Sequence, residues 1–201
     1  MSRAWPVEGI EPEGRLGDNA RRILRVRIGE FYSYAPIVAN EQAVEELHNL
    51  RIAAKRLRYT LELFRAVFGE VGERQIDRVK AIQEELGNLH DADVRIALIQ
   101  DELTILGAEQ TVSLGRTLAT APASAHQAIA STALRPPPDD PRRGLVALLG
   151  REFGARKRSY DAFHTLWVRY AAEGMRQELV GLSAMPLPKQ DDADESPNDV
   201  S

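Results

Sequence analysis

The chain gathers cations and one histidine in a short segment without acidic residues, residues 47–59 (LHNLRIAAKRLRY). If this segment is a helix, successive residues lie about 100° apart around its axis. His48, Arg51, Lys55 and Arg58 then share one side. Like charges three and four residues apart repel each other, so the grouping carries a small cost. Such a row is suited to phosphate groups, which arginine binds through paired hydrogen bonds and lysine as a point charge.

The same segment permits a simpler interpretation, in which its cations are a solvated surface or pair with acids of neighbouring helices. Leu50, Leu57 and Leu61 fall on the side opposite His48, as expected of a helix that packs on a core. Arg56 falls between the two sides, so it could instead pair with an acid of the third predicted helix. The segment alone leaves both interpretations open.

Helical periodicity of apolar residues extends along most of the chain, and no alternation typical of β-strands persists. Helices are predicted over residues 18–38, 41–68, 73–106 and 145–182. Gly87 and Asn88 interrupt the third, which is either one kinked helix or two, and Gly107 closes it. Asp18 or Asn19 is expected to cap the first helix and Asn40 the second. The fold class is therefore all-α, an antiparallel helical bundle of four to five long helices.

Composition divides the chain into one helical domain with loose ends. Residues 1–16, rich in Gly, Pro and Glu, are expected to be flexible, and residues 17–183 to form the domain. Within it, residues 119–141 read as a linker because they are low in complexity and end in a proline-rich run. Residues 184–201 have the composition of a disordered acidic tail.

Charge and cysteine content restrict the class of protein. The net charge is −4, but residues 190–201 carry five acids and no base, so the rest of the chain has a net charge of +1. There is no cysteine, which excludes disulfides and thiolate chemistry. No segment resembles a signal peptide or an apolar run of about 18 residues. We therefore expect a cytoplasmic protein that is not anchored in a membrane.

Two motifs together resemble those of the CHAD family, the conserved histidine α-helical domain. The family's signature helix reads His-x-x-Arg-Ile-x-x-Lys-Arg-Leu-Arg-Tyr, and residues 48–59 match it at each fixed position. Residues 79–94 (VKAIQEELGNLHDADV) are similar to the next signature through Lys80, Leu86, Gly87, Asp91 and Val94. The motifs follow each other in the family's order, and the resemblance covers roughly residues 40–106.

The resemblance implies an all-helical domain that binds inorganic polyphosphate through a basic groove, without catalysis and without a cofactor. Family members are often associated with polyphosphate granules. The family usually has two copies of a four-helix unit, whereas residues 150–170 lack a second His-x-x-Arg motif. The chain thus resembles a half-length member, for which a homodimer could replace the missing half. The candidate polyphosphate-binding residues are His48, Arg51, Lys55, Arg56, Arg58, Lys80, His90, Arg22 and Arg25.

Several of these residues have a structural alternative. Lys80 matches the second motif but could be an ordinary surface lysine, and His90 could face the groove or solvent. Arg22 and Arg25 fall away from the apolar side of the first helix, where they wall the groove or are simply solvated. Asp91 and Asp93, after the predicted break, would cap the next helix or hold basic side chains in position.

Four other functions compete with polyphosphate binding. A phosphohydrolase would need a general base or carboxylates for Mg²⁺ near the cations. A metal enzyme is disfavoured because Arg51 and Lys55 would repel a metal ion near His48. Nucleic acid is an unfavoured partner because few aromatic residues near the cations could stack on bases. An interaction scaffold is the remaining alternative.

Overall fold

The computed structural model describes residues 3–133 and 140–184, and within them it contains helices and no β-strand. Two short 3₁₀ segments, Ala35–Ile37 and Ala123–Ala125, lie between α-helices. The α-helices of the described residues are α1 (Leu16–Tyr32), α2 (Val44–Leu63), α3 (Arg65–Thr120), α4 (His126–Ala133), α5 (Pro141–Ala172) and α6 (Met175–Ala184).

One hydrophobic core joins five of these helices. Leu24 of α1, Leu50 and Leu57 of α2, Phe163 of α5 and Leu179 of α6 are completely inaccessible to solvent, and α3 adds buried residues from Phe68 to Leu89. Helix α4 contributes no buried residue. The predicted all-α bundle is thus confirmed, since each amphipathic helix buries its apolar stripe against others.

The first two helices begin elsewhere than predicted because the expected caps form other contacts. Helix α1 begins at Leu16, and Asn19 instead exchanges hydrogen bonds with the backbone of Glu11. The Asn40 side chain accepts from the backbone N–H of Gln42, at 3.0 Å, so it closes the turn before α2 rather than the helix itself. The predicted caps Asp18, Asn19 and Asn40 are therefore wrong.

The break predicted at Gly87 and Asn88 is wrong, because α3 runs through both residues and past Gly107. The actual break is at Gly69, whose φ of +56° is a conformation that only glycine adopts readily. It separates the first turn of α3 from the remaining helix. A glycine inside a helix, such as Gly87, is therefore tolerated where tertiary packing stabilises the helix before and after it.

The predicted linker is largely helical in the residues that the structure describes. It contains the last turn of α3, helix α4 and the start of α5, while residues 134–139 lie outside the described residues. Asp140 caps α5 by accepting from the N–H of Arg142 at 2.9 Å, and Pro141 occupies a first-turn position that needs no donor. The hydrogen bond from Arg142 lowers the pKa of Asp140 to about 2.

The predicted last helix is two helices, α5 and α6. Gly174, with a φ of +78°, separates them and lets the chain turn back onto the core.

Residues 3–15 contain no helix, but Arg27 donates to the backbone carbonyl of Trp5 at 3.0 Å. The predicted disordered tail lies outside the described residues after Ala184. Among the described helices, none is both long and apolar enough to cross a membrane.

Candidate functional site

Helix α2 presents its cations as the sequence predicted. Leu50, Leu57 and Leu61 are fully buried on one side. His48, Arg51 and Arg58 are partly exposed and Lys55 is exposed on the other. Because the buried side packs on the core, the helix cannot rotate to scatter these side chains. Their spacing is therefore fixed by the helix geometry.

Two contacts show that α3 runs antiparallel to α2 beside this row. The Nδ1 atoms of His48 and His90 are 3.1 Å apart. A β-carbon at Gly87 would lie 3.7 Å from Nε of Arg51, so the glycine lets this guanidinium lie against the α3 backbone. Since both helices rise by about 1.5 Å per residue, the same register sets Lys80 opposite Arg58.

These two helices together form a row that we call the basic seam. It consists of His48, Arg51, Lys55 and Arg58 from α2 and Lys80 and His90 from α3. Sequence reasoning left the orientation of His90 open, and the structure turns it toward His48. Sequence reasoning overlooked Gln83 as a neighbour of the seam and took Gly87 for a helix break. The common helical spacing of residues 80, 83, 87 and 90 was the available signal.

The two histidines are coupled through their facing nitrogens. One Nδ1 must donate and the other accept, so at most one proton lies between them. Burial lowers the pKa of His48, and the nearby positive charges of His90 and Arg51 lower it further, while Glu45 opposes them. His48 is therefore neutral at pH 7 in the unliganded protein, and a bound anion would favour its protonation.

The seam cations are weakly engaged by carboxylates. In residues 3–133 and 140–184, Arg51, Lys55 and Lys80 form no ion pair, and Arg58 approaches Glu62 only to 3.6 Å. Nε of Arg51, Nε of Arg58 and Oε1 of Gln83 are shielded from solvent without a hydrogen-bond partner in that part of the chain. Such unmet polar atoms are costly, and the two Nε donors belong to arginines of the row on α2.

The ring of Tyr59 forms cation–π contacts with two of the cations. The guanidinium of Arg58 lies 4.9 Å and the ammonium of Lys55 5.7 Å from the ring centroid. Cation–π attraction of this kind restricts a side chain without neutralising its charge. Tyr59 therefore packs against the side chains of the seam.

Arg56 is not part of the seam, although it matches the family motif. It pairs with Glu30 of α1, whose side chain is only 1% exposed and also accepts from Arg27 at 2.7 Å. The sequence left open a partner on the third helix; the carboxylate paired with Arg56 here is Glu30, because the flank that carries Arg56 faces α1. A buried carboxylate requires such partners, so the role of Arg56 is structural.

The remaining predicted basic residues lie on other contacts. Arg22 pairs with Glu11 at 2.9 Å, and Arg25 donates weakly to the carbonyl of Ser183 at the end of α6. The structure therefore does not bring either residue to the seam by any contact that it shows. Arg21, the residue before Arg22 on α1, is buried.

The acids after Gly87 do not cap a helix, because they lie in the middle of α3. Asp93 accepts from the buried Arg156 of α5 at 2.6 Å, and Arg156 also donates to the backbone carbonyl of Glu41 at 2.8 Å. The prediction that these acids hold basic side chains is thus correct for Asp93. Arg156 links α5 to α3 and to the turn before α2 rather than lining a groove.

The described part of the chain contains no group of three or more His, Asp or Glu side chains placed to hold a metal ion. His48 and His90 approach each other, but the positive charge of Arg51 acts on His48 and would oppose a metal ion there. What the arrangement can do is bind an anion along a row of donors.

Comparison with known proteins gives one match. The family model described as CHAD domain matches residues 4–100. The matched span covers α1, α2 and α3 as far as Gln100, so it contains every residue of the basic seam. No curated protein and no solved structure matches the chain.

Proposed function

Because the chain is a member of the CHAD family through residues 4–100, we propose that it binds inorganic polyphosphate along the basic seam and does not catalyse a reaction. One observation carries the proposal. Cations from two antiparallel helices form a row, and three of them, Arg51, Lys55 and Lys80, have no carboxylate partner in residues 3–133 and 140–184. An extended polyanion supplies the missing partners.

The geometry favours an extended ligand over a single phosphate. From His48 to Arg58 the seam rises about 15 Å along α2, with a donor at each turn. A single phosphate would reach only one or two of these donors. Successive phosphates of a chain would reach all of them, with the guanidinium groups as paired donors and the lysines as point charges.

The chemistry of the seam supports binding rather than hydrolysis. A phosphohydrolase would need carboxylates at the seam to hold Mg²⁺ or to activate water. Of the two acids that the sequence offered, Asp93 is engaged by Arg156 at 2.6 Å. The seam side chains are cations and imidazoles, which neutralise a polyanion without attacking it. In a cell, we expect such a protein in the cytoplasm and on polyphosphate granules.

Binding should be tight at low salt and should weaken steeply as salt rises. By extension of the law for nucleic acids, four neutralised phosphates give a slope of about −3 in log affinity against log salt concentration. Fluorescence anisotropy with labelled polyphosphate measures this directly. Competition with single-stranded RNA and an assay for released orthophosphate in Mg²⁺ are run beside it. Absence of binding would favour an interaction scaffold, and release of orthophosphate a phosphohydrolase.

Affinity should also rise as the pH falls, because His48 must gain a proton to become an additional cation. Its lowered pKa keeps it neutral at pH 7, and bound phosphate would raise that pKa. One proton taken up on binding increases affinity by at most about tenfold per pH unit, below neutrality. Titrations from about pH 7.5 to 5.5 compare wild type with His48→Ala. An equal pH dependence in both proteins would exclude His48 as the source.

A further inference from the structure

The chain carries a long helical arm that contributes nothing to the core. From Gln100 to Ala155, none of the described residues is buried, although this span contains the last 21 residues of α3, all of α4 and the start of α5. Arg142 of α5 contacts Gln110 of α3, so the two helices run together as a hairpin. Helices gain most of their stability from tertiary packing, and an arm without buried residues has little of it.

One side of α3, from just before this arm into it, carries exposed apolar residues at a regular spacing. Leu98, Ile105 and Val112 are 63%, 53% and 53% exposed and recur every seven residues. We call them the apolar stripe. Ile105 lies about 140° around the helix from Gln110, which faces α5. The cavity shared with α4 is lined by Gln110 and Ser113 among others, so α4 also lies away from the stripe.

The stripe and its flanking charges are complementary to themselves. If a second α3 packs antiparallel with its two-fold axis between Ala108 and Glu109, Ile105 meets Val112 of the copy and Leu98 meets Ala119. The same symmetry brings Asp101 opposite Arg116, twice. Asp101 and Arg116 are exposed and form no ion pair in the described chain. Residues 98, 101, 105, 108 and 112 follow the three-four spacing by which helices pair, and the charged residues on this face find their partners on the second copy.

We propose that the apolar stripe is the contact of a homodimer, in which α3 of one protomer packs antiparallel on α3 of another across a two-fold axis. Such an isologous contact uses each pair twice, which is why a self-complementary surface selects a second copy over an unrelated helix. The proposal rests on the arm alone and does not depend on what the basic seam binds.

One residue at the proposed contact, Glu109, destabilises the dimer, and this makes the register testable. Glu109 lies next to the axis and would face its own copy, where two carboxylates repel. Neutralisation by Glu109→Gln should therefore tighten the dimer. Weaker association of this variant would contradict the assigned axis.

Sedimentation equilibrium of the full chain without polyphosphate tests the dimer. The expected mass approaches twice 22.4 kDa as protein concentration rises. Ile105→Glu should weaken association at least about tenfold. Leu63→Glu, at a residue 75% exposed on α2, is the matched control and should leave association unchanged. Circular dichroism verifies that both variants remain helical.

A charge exchange tests the pairing across the axis. Asp101→Arg and Arg116→Asp should each weaken the dimer, and the double variant should restore it, because both symmetry-related pairs are rebuilt with reversed sign. A wild-type protein that is strictly monomeric up to about 100 μM would overturn the proposal. A double variant no stronger than the single ones would overturn the antiparallel register.

Discussion

Simultaneous replacement of Arg51, Lys55 and Arg58 by alanine is expected to abolish polyphosphate binding without unfolding the protein. A hydrogen bond to a charged group contributes about 1.5–3 kcal/mol, so loss of three should weaken binding at least about 100-fold. The slope of log affinity against log salt concentration should fall from about −3 to about −1, since three counterion-releasing contacts are gone. Anisotropy titrations at several salt concentrations measure both quantities.

The control must remove the same charge from elsewhere on the protein. Arg65, Arg151 and Arg169 are exposed cations outside the seam, and their triple replacement by alanine changes the net charge equally. If polyphosphate is captured by general charge, the two triple variants will lose equal affinity. That result would contradict a site at the seam, whereas an affinity within about threefold of wild type in the control supports it.

Arg56→Ala is expected to cost about 3 kcal/mol of unfolding free energy while leaving polyphosphate affinity nearly unchanged. Arg56 is one of two arginines that pair with Glu30, a carboxylate only 1% exposed to solvent. Removal of Arg56 leaves this buried charge with Arg27 alone. Urea denaturation with an unchanged m-value measures the loss as a lower midpoint.

Lys55→Ala is the matched comparison, because Lys55 precedes Arg56 on the same helix but is exposed and forms no ion pair in residues 3–133 and 140–184. It should change the unfolding free energy by less than about 0.5 kcal/mol and should lower polyphosphate affinity. The two variants are thus expected to have opposite effects on stability and binding. An Arg56→Ala protein of normal stability and poor binding would place Arg56 in the seam after all.

The local pattern of α2 could be predicted because helical periodicity needs no partner. Leu50, Leu57 and Leu61 recur at helical spacing, and this alone turns His48 and Lys55 to the opposite side. The all-α class follows in the same way from the other segments. These features depend on residues three or four positions apart along the chain, so they can be predicted from the sequence alone.

The positions at which helices end or break could be predicted less well, because the local preferences of single residues such as glycine are weak. Gly87 reads as a break, yet the helix continues through it since α2 packs against it, with Arg51 close to the glycine. Gly69 is the real break in α3, and Gly174 divides the last predicted helix. A glycine's effect on a helix is about 1 kcal/mol, which tertiary packing easily outweighs.

The sequence by itself determined that the chain is helical and that one helix carries a row of cations without acids. Only the tertiary structure decided which charges remain available to a ligand. It joined His48 to His90, which are 42 residues apart, and it engaged Arg56 and Asp93 with partners on other helices. The physical reason is that an ion pair across helices depends on helix register and rotation, and these are set by the packing of the whole core.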